Sequence, residues 1–183
     1  MRQSEPMNPD PFRPRVLVSR CLLGEAVRYD GTDRRAPELA ALAGRVDFLP
    51  VCPEAEAGLG VPRPPVQWIE RDGNRRLRGV TDPALDVTDR LARFCRRHVA
   101  SLPEVQGAIL KARSPSCATG SASLFDAAGH ELDRIDGLFV QALHERWPDL
   151  PCIDEQALAE EARRTAFIAR IFARTAACGR GQF

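Results

Sequence analysis

Four short apolar runs recur along the chain: RVLVSR (15 to 20), VDFLPVC (46 to 52), GAILKA (107 to 112) and LPCI (150 to 153). Each is short and continuous, so each predicts a strand, and GAILKA a buried one. Pro50 removes a ladder donor from the second run and assigns it to a sheet edge or a strand end. VQWIERDGNRRLRGV, 66 to 80, alternates instead, and its Asp72-Gly73 pair predicts a hairpin turn.

Between these runs the apolar positions take helical spacing. RAPELAALAG, 35 to 44, predicts a helix that ends on Gly44. Asp82 to Leu102 predicts a longer one, capped by Asp82 with Pro83 in its first turn; Leu85, Leu91, Phe94, Cys95, Val99 and Leu102 form its apolar stripe. IDGLFVQALHERWP, 135 to 148, and residues 154 to 177 predict two more, the last as one long element. GLGVPRPP (58 to 65) and the polar run SPSCATGSAS (114 to 123) are read as loops.

Strands that alternate with helices predict an α/β domain. The expected fold is a three-layer sandwich on a mostly parallel sheet, plus a C-terminal helix. Residues 1 to 14 are expected to be a flexible leader, 15 to 155 the folded domain, and 156 to 183 a helical extension.

Composition narrows the function. Twenty-six basic side chains face 25 acidic ones, a net charge of +1, so no broad basic field is offered to long nucleic acid. No stretch approaches the roughly 18 apolar residues of a membrane span, and the proline-rich start lacks the apolar core of a secretory signal. The expectation is a cytoplasmic protein whose six cysteines are reduced. One basic residue stands apart: Lys111 is the sole lysine among 25 arginines. A compact ammonium beside a charged group, or a structural ion pair at a sheet edge, would each account for it.

Three of the cysteines follow predicted strands: Cys21, Cys52 and Cys117. Parallel sheets bind ligands beyond the carboxyl ends of their strands, so these three thiols are expected at one edge, in reach of a metal or a cluster. Alternatively, small cysteines simply fill tight turns there, since no local CxxC spacing marks them. Cys95, Cys152 and Cys178 are expected to be buried or incidental. His98, His130 and His144 are expected in solvent, which leaves no Cys-His pair. A cysteine phosphatase loop does not fit either: six residues separate Cys21 from Arg28, one too many for a phosphate cradle, and Gly24 is the loop's one glycine.

Several stretches together resemble a known family. SRCLLGEAVRYDG (19 to 31), VCPEAEAGLGVPRPP (51 to 65), DVTD (86 to 89), GAILKARSPSC (107 to 117) and, more weakly, IDGLFVQAL (135 to 143) are similar to the TudS-like thiouracil desulfidases. That family is catalogued as domain of unknown function 523. The resemblance covers about 15 to 155 and implies that Cys21, Cys52 and Cys117 ligate a [4Fe-4S] cluster with one iron free of protein ligand. It implies a hydrolytic, non-redox reaction. The thiocarbonyl sulfur of a thiouracil-type base binds the open iron, water attacks the carbon, and uracil and sulfide leave. Glu54 is then the expected general acid/base and Ser114 its relay and hydrogen-bonding partner. Ser116, Arg28, Tyr29 and Lys111, with Asp30, are expected to shape the substrate site. Glu56 is an added acid in the CPE segment and competes with Glu54 for the pocket. Two other readings keep the same cysteines: a structural or sensing metal module without turnover, and a metal-free cysteine hydrolase.

Overall fold

The computed structural model describes residues 13 to 179, with the side chains of the last three left aside. The leader expected at 1 to 14 lies almost wholly outside the described residues, as does the side chain of Cys178. All four apolar runs are strands of one parallel sheet. β1 (Arg15–Ser19), β2 (Asp47–Val51), β5 (Gly107–Leu110) and β8 (Cys152–Asp154) lie in the order β2-β1-β5-β8. Pro50 sits on the edge strand β2, where a missing N–H leaves no ladder bond unmade on the outer side.

Alternation along these strands divides the core. Leu17, Val51, Ala108 and Leu110 face one side. There they meet Leu91, Cys95 and Val99 of α1 (Thr88–Ser101) and Phe139, Val140 and Leu143 of α2 (Leu138–Arg146). Val16, Val18, Ile109 and Ile153 face the other, against Leu39, Leu42, Leu158, Phe167 and Ile171. A sheet covered on both faces needs continuously apolar strands, and β5 is buried along its whole length.

A second sheet stands beside the first. β3 (Val66–Arg71) and β4 (Asn74–Gly79) form the expected hairpin, with Asp72 and Gly73 both at positive φ in its turn. β6 (Ala122–Phe125) joins β3 in parallel and β7 (Glu131–Ile135) closes the order β4-β3-β6-β7.

Four expectations are corrected. β6 and β7 occupy a stretch read without strands; β7 is exposed at four of its five positions, so no burial pattern marked it, and pairing to β6 alone holds it. The helix expected at 35 to 44 is a 3-10 turn over Pro37–Ala41, because N–H groups of Arg34 and Ala36 are tied back to the carbonyls of Cys21 and Leu22, holding the chain extended up to its start. α1 begins at Thr88, not Asp82. Asp86 accepts from the Thr88 N–H and hydroxyl while pairing with Arg76 and Arg78, which keeps 82 to 87 on the second sheet. The terminal helix is two elements, α3 (Glu155–Ala159) and α4 (Glu161–Gly179), parted by extended backbone at Glu160.

α4 is part of the core rather than an appendage. A Cβ on Gly107 would stand 2.6 Å from Ile171 Cγ2 and 3.1 Å from Pro151 O, so the helix can approach β5 only over a glycine. No helix among the described residues is long and apolar enough to cross a membrane.

Candidate active site

Because β2, β1 and β5 are parallel neighbours, their carboxyl ends share one edge. Cys21 follows β1 in a 3-10 turn, Cys52 follows β2 directly, and Cys117 lies in the loop after β5. All three line one cavity of about 400 Å³. Cys21 and Cys117 are buried and Cys52 is half-buried.

The cavity raises all three thiols. Burial pushes Cys21 up to about 11, and the neighbouring Cys52 adds to the rise. Burial likewise raises Cys52, against a backbone N–H from Ala55. Cys117 is raised by burial too; a hydrogen bond with the Ser19 side chain pulls it back, and Cys52 and Cys21 push it further up. Thiols that feel each other in this way cannot all ionise without a cation among them. The wall supplies partial compensation, since Lys111 and Arg28 lower Cys21 and Arg63 lowers Cys52.

Three cysteine thiols on one cavity wall are a donor set that suits a thiolate-held iron-sulfur cluster. Zinc thiolate bonds of about 2.3 Å crowd all donors around one point. Among the described residues, no three His, Cys, Asp or Glu side chains are grouped so as to hold one metal ion.

The two acidic candidates part company. Glu54 is only 8% exposed and lines the cavity. Its Oε1 accepts from the Ser116 hydroxyl at 2.6 Å and its Oε2 from Arg63 Nε at 2.8 Å. Glu56 does not line this cavity; its Oε1 accepts from the Cys52 backbone N–H at 2.8 Å and stands 3.7 Å from Arg20 Nη1. Both stand on the helical turn that runs through Ala55–Leu59, where residues two apart point to opposite sides.

The remaining candidates divide the same way. Ser114 lines the cavity, and its Oγ accepts from the N–H groups of Ser116 and Cys117, both at 3.2 Å, which leaves its own O–H free to donate. Ser116 is fully buried and its hydroxyl is spent on Glu54, so it supports the carboxylate rather than facing the cavity. Arg28 and Tyr29 are at the wall, with the guanidinium 5.5 Å over the phenol ring and 3.4 Å from Asp30. Lys111 also lines the wall; its ammonium pairs with Glu155 and donates to Ala112 O at 3.0 Å. The isolated lysine therefore joins the sheet edge to α3 while presenting its charge to Cys21.

Backbone contacts hold the Cys117 loop in place. The first N–H groups of α2 and Gly137 before it donate to the carbonyls of Pro115, Ser116 and Ala118. Trp68 of β3 adds its Nε1 to Pro115 O at 3.0 Å. A Cβ on Gly137 would fall 2.4 Å from the Ser116 carbonyl carbon, so only glycine lets α2 reach this loop. The IDGLF stretch thus holds the loop chiefly through backbone, with the Asp136 carboxylate adding one contact by accepting from the Gly120 N–H at 2.7 Å.

Sequence reasoning left out three residues. Ser19, Arg63 and Glu155 each bind a candidate, yet each looks ordinary in isolation. Arg63 alone had a signal, being an arginine locked between prolines in VPRPP. The expected solvation of the histidines holds for His130, but His98 stacks on Phe94 at 5.2 Å and His144 sits half-buried near Leu150 O. None of the three lines the cavity.

An α/β domain with a thiol-lined cavity at the edge of its parallel sheet is the class this geometry defines. The 2-thiouracil desulfurase family model matches residues 16 to 155, and the chain belongs to that enzyme family. It is similar to the [4Fe-4S]-dependent thiouracil desulfidase TudS, with a TM-score of 0.63 and 30% identity over 84% of this chain and 99% of that one. It is also 32% identical over 111 residues to the uncharacterized protein YbbK of Bacillus subtilis (strain 168), spanning 57% of this chain and 74% of the relative.

Proposed function

We propose that this protein removes sulfur from small thiouracil-type bases without net redox change, using a [4Fe-4S] cluster held by Cys21, Cys52 and Cys117. Water supplies the oxygen, so a thiocarbonyl and water become a carbonyl and hydrogen sulfide. When bound, the cluster supplies a thiophilic Lewis acid, because three protein thiolates leave one of its four irons open. The observation that carries the proposal is the convergence of those three thiols with Glu54 on one cavity.

The chain's own groups then have distinct work. Glu54 takes a proton from the attacking water and returns it to the departing sulfur. Ser116 and Arg63 hold its two oxygens, so the carboxylate cannot rotate away from the cavity. Ser114 donates its free hydroxyl to the substrate and relays protons to solvent. Arg28, Tyr29 and Lys111 bound the space a planar base occupies. A metal-free cysteine mechanism is disfavoured because no histidine lines the cavity to deprotonate one of these buried thiols. A reducing cytoplasm suits such thiols and is the compartment we assign.

The test is desulfuration of a thiouracil panel by anaerobically reconstituted protein. Sulfide release that scales with bound iron supports the proposal. Turnover by iron-free protein, or none by protein with a full cluster, overturns it.

A further inference from the structure

Arg63 is among the most buried charged side chains in the described fold, at 9% exposure. Its own position explains why it can stay there. Nε donates to Glu54 Oε2 at 2.8 Å, and Nη1 donates to both Val27 O and Gly60 O at 3.0 Å. Its backbone N–H donates to Tyr29 O at 2.8 Å. A buried ion pair survives desolvation only when its spare donors and acceptors are also satisfied, and here Ser116 completes the carboxylate side.

Those partners lie on different segments. Val27 and Tyr29 belong to the loop that follows Cys21, whereas Glu54 and Gly60 belong to the loop that follows Cys52. The Cys52 thiol itself approaches Val27 O at 3.8 Å. One guanidinium therefore ties both cysteine-bearing loops to each other and to the carboxylate between them. Lysine could match the charge but not the fork, since its single ammonium cannot span three acceptors in a fixed plane.

We infer that Arg63 is a positioning residue for the reaction, setting the orientation of Glu54 from its anchorage on the loops that follow Cys21 and Cys52. This rests on the desulfidase proposal for Glu54, although the tie itself is testable without turnover. The arginine acts through the carboxylate, so its loss should slow the chemical step more than it weakens substrate binding. Misplacing a reacting group by about 1 Å costs on the order of 100-fold.

Two measurements decide it. In cluster-loaded Arg63→Lys enzyme, kcat should fall roughly 10- to 100-fold with KM within about 3-fold and with wild-type iron content and visible spectrum. Wild-type kcat at full iron content overturns the inference, and so does a fall in kcat that only tracks lost iron. In iron-free protein, urea unfolding of Arg63→Met, Glu54→Gln and the double variant should be non-additive, the double losing clearly less than the two single losses combined. Additive losses overturn the tie. If wild-type enzyme shows no desulfuration but the cycle is non-additive, the tie stands and the proposed reaction is what fails.

Discussion

The two sheets carry arginine and cysteine in opposite ways. The parallel sheet is apolar on both faces and ends, on three adjacent strands, in Cys21, Cys52 and Cys117. The second sheet buries Trp68, Leu77 and Leu124 on one face, while β4 and β7 hold Arg75, Arg76 and Arg134 in partly or fully exposed ion pairs. It lends the site a wall, through Pro65 and Val66, and one brace, from Trp68 to the Cys117 loop. Chemistry gathers where strand direction brings chain ends together, and a sheet whose neighbours run both ways has no such edge.

The sharpest break in that comparison is ligand loss. Cys21→Ser, Cys52→Ser and Cys117→Ser should each abolish iron binding and activity, while Cys95→Ser on α1 and Cys152→Ala on β8 retain both. Iron analysis of anaerobically reconstituted variants checks this, and full iron in any of the first three removes that residue from the ligand set.

The next effect divides a single loop. Glu54→Gln keeps the shape and cannot carry a proton, so turnover should drop by about 10²–10⁴ with the cluster in place. Glu56→Gln, turned to Arg20 and the Cys52 amide, should leave the rate nearly unchanged. Steady-state rates and visible spectra on the same samples separate the two; equal rates would move the proton chemistry to Ser114.

Gly137→Ala tests the brace under Cys117. The added methyl meets Ser116 backbone, not a flexible side chain, so overpacking should cost about 1–3 kcal/mol and weaken iron retention. Urea midpoints measure the first effect and dialysis against a chelator the second. An unperturbed variant on both counts would mean the loop is held elsewhere.

Iron-free protein should also report its buried thiols through pH. Cys21 keeps its proton to about 11 in the fold, and Cys95 and Cys152 to about 12, whereas the unfolded chain ionises near 9. The unfolded state then binds fewer protons above that point, so stability present below pH 9 is lost as pH rises through the folded values. Urea midpoints that stay level from pH 8 to 11 would contradict the burial of these thiols. The smallest effect belongs to the second sheet's outer face: Arg75→Ala breaks an exposed pair with Glu70 and should change stability by less than about 0.5 kcal/mol.

Much of this protein was legible from its residues. Short continuous apolar runs identified all four parallel strands; the reason is plainest for the central pair β1 and β5, which are covered on both faces and so are apolar almost throughout. Once those strands were parallel, strand-end cysteines had to share an edge. Other features had no local signature. β7 is held by ladder bonds to β6 rather than by burial, and residues 82 to 87 read as the first turns of a helix, although Arg76 and Arg78 claim Asp86 and delay its start to Thr88. A helical turn sends Glu54 and Glu56 to opposite sides, and only the packing of that turn decides which side meets the cavity. Arg63 became visible only when Val27, Glu54 and Gly60 were brought within about 3 Å of it. Hydrophobic pattern encodes which side chains leave water, and so the sheet; hydrogen-bond partners far apart in the chain are chosen only when packing sets their distance.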